Sequence, residues 1–99
     1  MVTYQVAFSP TAARDLEKVV AYIAKDNPQA AERFGLELTE KANSLKNSQI
    51  AHNGREFLNK KGARRLVHGK YLIVYRILES QEKVRILRFW HGSRDRKTI

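Results

Sequence analysis

An α+β domain, with a helical hairpin packed on a small twisted antiparallel sheet, follows from three features of this 99-residue sequence. Apolar residues alternate near the N-terminus. They then recur at helical spacing, and after Ala63 they gather into β-rich runs. The length suits a single domain spanning residues 1–99, with one modest core.

Val2, Tyr4, Val6 and Phe8 point one way and Thr3, Gln5 and Ala7 the other, as in a half-buried strand. Ser9-Pro10 is a helix start: the hydroxyl accepts from an orphan N–H, and Pro at the first helical position loses no hydrogen bond. Leu16, Val20 and Ile23, with Val19 adjoining, set one helical face that fades near Lys25. Asp26-Asn27-Pro28 repeats the start signal with Asn27 as cap. Ala31, Phe34, Leu38, Ala42 and Leu45 then form the stripe of a longer helix. A break this short joins the helices into an antiparallel hairpin.

Residues 47–62 lose periodicity, gather Asn, Ser and Gly, and read as a loop. Arg64 to Val67 leads through His68-Gly69-Lys70 into residues 71–78, apolar on both faces except for Arg76, as in a central strand covered on two sides. Residues 79–83 are a polar turn, residues 84–90 the last strand, and residues 91–99 a basic tail. The expected order is β-α-α-β-β-β, with the last three strands in a meander.

Charge divides the chain unequally. Residues 1–48 carry six Lys/Arg against six Asp/Glu, whereas residues 49–99 carry thirteen against four and hold the whole net charge of +9. That segregation favours an anionic partner over a mere solubility role. The absence of cysteine excludes disulfides, thiolate metal sites and a cysteine nucleophile, and is compatible with a reducing cytosol. No secretory signal and no apolar run of membrane-spanning length is apparent, so a cytoplasmic protein without a membrane partner is expected.

The stretches YQVAFSPTAARDLEKVVAYIAKDNPQAAERF (residues 4–34), GARRLVHGKYLIVYRI (62–77) and VRILRFWHGSRDR (84–96) resemble the RelE/ParE superfamily of toxins from bacterial type II toxin–antitoxin systems. The resemblance covers well over half of the chain in the family's order, and implies the same α+β fold. It also implies a cognate antitoxin that wraps the toxin with its C-terminal segment. RelE-like members cleave mRNA in the ribosomal A site, while ParE-like members poison DNA gyrase.

A metal-free ribonuclease needs an acid, a base and a phosphate clamp. His91, at the end of the last strand with Arg88, Arg94 and Arg96 nearby, is the serious acid–base candidate. Neighbouring cations keep such a ring neutral, although a turn-shaping role weighs more. His52 reads as a solvated loop residue and His68 as part of a hairpin turn. By resemblance, Arg65 and Arg94 match basic residues of the nuclease pattern. Its strand arginine, however, falls on the apolar Leu72, and its tail tyrosine falls just beyond Ile99. No His/Asp/Glu set has metal-ligand spacing, no glycine-rich phosphate loop occurs, and neither Ser9 nor Ser93 has an evident base. No cofactor is expected. Tyr71, Tyr75, Phe89 and Trp90 interleave with Arg76, Arg85 and Arg88, a pattern shared by base-stacking surfaces and by strands that close a core. Core is favoured for Tyr75 and Phe89; Trp90 is evenly balanced.

The favoured expectation is a ParE-like inhibitor of DNA gyrase with a target surface of Arg65, Arg76, Arg88, His91, Arg94 and Arg96. Val19, Tyr22 and Ile23 are the expected antitoxin anchors. The first alternative is a RelE-like endoribonuclease acting with ribosome and mRNA, with His91 as acid or base and Arg65 and Arg94 on the phosphate. The second is a non-toxic protein that sequesters an antitoxin.

Overall fold

The structure, a computed structural model, describes residues 3–57 and 60–92. Strand β1 (Gln5–Phe8) leads into helices α1 (Pro10–Ala24) and α2 (Pro28–Asn43). A 3-10 turn (Ser44–Lys46) precedes the short α3 (Ser48–Asn53), and strands β2 (Arg55–Glu56), β3 (Arg64–His68), β4 (Tyr71–Leu78) and β5 (Lys83–His91) follow. A second 3-10 turn (Glu79–Gln81) joins β4 to β5.

Both helix starts form as their sequences dictate. Ser9 Oγ accepts from Ala12 N at 3.0 Å, and Asn27 Oδ1 from Ala30 N at 3.1 Å. Along α2, Ala31, Leu38 and Ala42 are buried, as is Leu45 just beyond it, with Phe34 half-buried on the same stripe. In α1 the buried line is instead Ala12, Asp15 and Val19, turned slightly from the expected face. The reason lies in α2: a Cβ on Gly35 would stand 2.9 Å from Val20 Cγ2, so the two helices approach closely there and Val20 faces α2 rather than the sheet.

The sheet order is β1-β5-β4-β3-β2. The meander of β3, β4 and β5 is antiparallel as expected, but β1 runs parallel to β5, pairing Val6 with Val84 and Phe8 with Ile86. The sheet is therefore mixed, not purely antiparallel. Alternation identified β1 as a strand but carries no information about its neighbour or direction.

The expected loop at 47–62 is a second correction. Asn47 Oδ1 accepts from Gln49 N at 2.9 Å and Ile50 N at 3.4 Å, starting a helix of six residues that is too short to leave a periodic signature. Beneath it, Tyr75 OH donates to Ala51 O at 2.6 Å. Gly54 leaves the space this needs, since a Cβ there would clash with the Tyr75 hydroxyl at 1.8 Å.

Two apolar clusters sandwich β4. Ile73 and Tyr75 face the helices with Leu38, Leu45, Ile86 and Phe89. Leu72 and Val74 face outward with Phe57, Ala63 and Trp90. The expectation of a strand covered on both sides holds, and Tyr75, Phe89 and Trp90 are all buried.

Candidate target and partner surfaces

Helix α1 lies along β5, and between them opens a groove of about 600 Å³. Lys18, Val19, Tyr22 and Lys25 line it from the helix, and Tyr71, Phe89 and His91 from the sheet. Val19 is buried, whereas Tyr22 is 69% exposed. Lys25 Nζ stands 6.0 Å from the centre of the Tyr22 ring, and Tyr71 meets His91 edge-on at 5.0 Å. The groove thus offers aromatic and aliphatic walls between ammonium groups, a suitable lining for an acidic amphipathic segment. Among the expected antitoxin anchors, Val19 and Tyr22 line this groove while Ile23 packs against the core.

The rim beside the groove is held by a β-bulge. The β4–β5 register shifts between Val74 and Tyr75, which pair with Arg88 and Ile86 and leave Leu87 as the extra residue. The β1 ladder ends at Phe8 opposite Ile86, so α1 supplies partners to the next stretch of β5. Ser9 Oγ donates to Leu87 O at 3.1 Å, and Asp15 Oδ2 accepts from Phe89 N at 3.1 Å. Arg88 completes the rim with two bonds to the same carboxylate, Nε to Oδ2 at 2.7 Å and Nη2 to Oδ1 at 3.0 Å. Its guanidinium also lies 4.9 Å from the Trp90 ring centre. Arg88, one of the residues expected on the target surface, therefore has its charge matched by Asp15.

Strand alternation separates the remaining expected residues. Arg65 pairs with Val74, whose side chain faces outward, and His91 pairs with Tyr71, whose side chain faces the helices. Arg65 and His91 consequently leave opposite faces of the sheet. Leu72, at the clamp position of the nuclease pattern, is 4% exposed and packs in the outward cluster. Arg76 is also on the outward face, where its Nη2 donates to Lys61 O at 2.9 Å. Arg94 and Arg96 lie outside the described residues. Among the described residues, no group of three or more His, Cys, Asp or Glu is placed to hold a metal ion.

His52 is not merely solvated. Its Nε2 lies 2.7 Å from Glu79 Oε1, its Nδ1 2.8 Å from Ser48 O, and Tyr4 OH donates to Glu79 Oε2 at 3.0 Å. The Ser48 carbonyl, then the Glu79 carboxylate, raise the His52 pKa, while His52, then Tyr4, lower that of Glu79. This cluster clips α3 and β1 to the β4–β5 turn. His68 reaches across to Glu37 at 3.3 Å and packs against Phe34, so it ties the hairpin to α2 beyond any role in the turn.

Sequence reasoning missed Asp15, Lys18 and Lys25 in the groove, and Arg55 and Lys83 on the outward face, where Arg85 figures only in the aromatic–arginine pattern. The helix residues carried a usable signal: Lys18, Tyr22 and Lys25 recur at the spacing of one helical face. The strand residues needed the register, because an alternating cation says nothing about which face it occupies.

The model of a family described as the ParE toxin of the type II toxin–antitoxin system parDE matches residues 6–96. Among solved structures, the chromosomal ParDE toxin–antitoxin system of P. aeruginosa aligns with a TM-score of 0.75 at 20% identity, covering 90% of this chain and 96% of the other. The RelBE2 toxin–antitoxin complex of Mycobacterium tuberculosis aligns with a TM-score of 0.67 at 28% identity, covering 91% of this chain and 99% of the other. Among curated protein sequences, none matches significantly.

Proposed function

The chain belongs to the ParE toxin family of type II toxin–antitoxin systems, and on that premise we propose that it arrests growth by inhibiting DNA gyrase through protein–protein contact. A cognate antitoxin silences it. The observation that carries this reading over mRNA cleavage is the separation of Arg65 from His91 by the sheet, with the buried Leu72 in the clamp position. A phosphoryl-transfer site needs its cation and its acid–base group around one phosphate. Placing them on opposite sheet faces denies that arrangement.

The antitoxin seat is the α1 groove. An acidic segment there meets Lys18 and Lys25 and inserts apolar side chains between Tyr22, Val19 and Tyr71. Because His91 lines the same groove, such a segment covers one end of the target surface, and neutralisation follows from occlusion.

Inducible expression of the chain alone, with parallel gyrase and mRNA readouts, tests the proposal. Growth arrest with loss of negative supercoiling and intact messages is expected, as is rescue by a coexpressed small acidic partner. Cuts in translated mRNA that vanish with His91→Ala would contradict it, and normal growth would leave only the antitoxin-sequestering role.

A further inference from the structure

The face of the sheet turned away from the helices carries six strand cations beside its apolar cluster: Arg55, Arg65, Arg76, Lys83, Arg85 and Arg88. In register, Arg55, Arg65, Val74 and Arg88 form one row across β2, β3, β4 and β5. Arg76 and Arg85 pair in the next row, and Lys83 lies beyond them opposite Leu78. No strand position on this face is acidic: Glu56 pairs with Arg64 and so shares its helix side. Arg88 is matched by Asp15 and Arg76 is partly held by Lys61 O. Arg55, Arg65, Lys83 and Arg85 have no ion-pair partner among the described residues, and Arg55 and Arg85 are exposed.

Two of these cross-strand pairs, Arg55–Arg65 and Arg76–Arg85, set like charges directly opposite each other. Such pairs destabilise a sheet on their own. An anionic ligand reverses the sign of that term.

The chemistry of the ligand follows from what else the face offers. Protein partners need apolar anchors that enter pockets. Here Leu72, Val74 and Trp90 are already covered by Phe57 and Ala63, leaving Val67, among the described residues, as the exposed large apolar residue on this face. Single-stranded nucleic acid needs open aromatic rings for stacking, yet Phe57 and Trp90 are 2% and 7% exposed. What remains is an array of guanidinium and ammonium groups, supplemented by exposed Lys60 and Lys61 on the covering segment. From β2 to β5 it spans about 14 Å at ordinary strand spacing. Duplex DNA presents about eight phosphates over that length.

We propose that this outward sheet face binds double-stranded DNA through its phosphates, without sequence preference, using Arg55, Arg65, Lys83 and Arg85. Its biological meaning rests on the gyrase reading: a toxin seated on gyrase lies beside the DNA that the enzyme holds, and this face grips that DNA.

The test uses the full chain without gyrase, so it fails or succeeds independently of gyrase inhibition. A fluorescent random-sequence duplex is titrated by anisotropy across a range of salt concentrations. With four contacts, log K should fall against log salt with a slope of about −3.6. The paired variant Arg55→Gln/Arg85→Gln should flatten the slope by about 1.8 units and weaken low-salt binding at least ~10-fold. Arg55→Lys/Arg85→Lys should retain the slope, and Arg33→Gln/Lys41→Gln on α2 should change affinity less than ~2-fold. Circular dichroism checks that each variant is folded. Equal loss in the α2 variant, equal loss in the Lys variant, no duplex binding at low salt, or tighter binding to single-stranded RNA or polyglutamate would each overturn the proposal.

Discussion

Asp15 is only 8% exposed, and its carboxylate accepts three hydrogen bonds, two from the Arg88 guanidinium and one from Phe89 N. Removing it strips a backbone donor and a half-buried cation of their partner together. Asp15→Ala should therefore cost about 2–4 kcal/mol in urea denaturation. Arg88→Ala should cost less, because Phe89 N keeps its acceptor; an equal or larger loss would show that the rim depends chiefly on the guanidinium. Gly54 makes a second point at this scale. With the Tyr75 hydroxyl where a Cβ would sit, Gly54→Ala should destabilise by about 1–3 kcal/mol through overpacking, read as a lowered urea midpoint. The Ser9 and Asn27 caps were legible because each lies directly before a proline and a helical pattern. Asp15 was not, since a lone acid on a helix looks solvated until the bulge in β5 places a bare N–H against it.

Among the elements, α2 was the most legible, its apolar stripe extending far enough for periodicity to define the buried face. Leu38 is fully buried at the centre of that stripe, and Leu38→Ala should cost about 2–5 kcal/mol in thermal or urea unfolding. Helix α3 and strand β2 were illegible because their order depends on tertiary partners: Tyr75 beneath α3, Arg64 donating to His52 O and Gly54 O, and β3 alongside β2. The clip that holds α3 is pH-dependent. Both nitrogens of His52 face acceptors, so both donate only in the imidazolium form. Glu79 and Tyr4 face the ring directly, and the Arg64 guanidinium, bonded to His52 O, opposes its protonation. The His52 pKa is raised, so its contribution is full below the ordinary value of about 6.5 and is lost as pH rises through the raised value. The Glu79 pKa is lowered, so its contribution is full above about 4.5 and is lost as pH falls through the lowered value. The clip should be tightest between those ordinary values. Chemical denaturation from pH 5 to 8 should show the wild type losing stability relative to His52→Gln, and a constant difference would contradict this.

At the scale of the molecule, the uneven charge of the chain becomes spatial. The neutral half builds β1 and the helical hairpin, while the basic half builds most of the sheet and places Arg55, Arg65, Lys83 and Arg85 on the outward face, without an ion-pair partner among the described residues. The fold class and the family resemblance were open to sequence reasoning, because they rest on element order and on long matching stretches. The division of the candidate residues between two faces was not, because it depends on strand register. The proposed antitoxin seat on α1 gives a prediction at this scale: Tyr22→Ala should weaken antitoxin binding about tenfold in calorimetry, and Lys18→Glu/Lys25→Glu should also lower the association rate. No change in either would move the seat elsewhere. The most direct test of the central claim is a supercoiling assay with purified gyrase, relaxed plasmid and the toxin alone. Loss of supercoiling that the cognate antitoxin reverses is the predicted result; undiminished supercoiling at micromolar toxin would contradict the account.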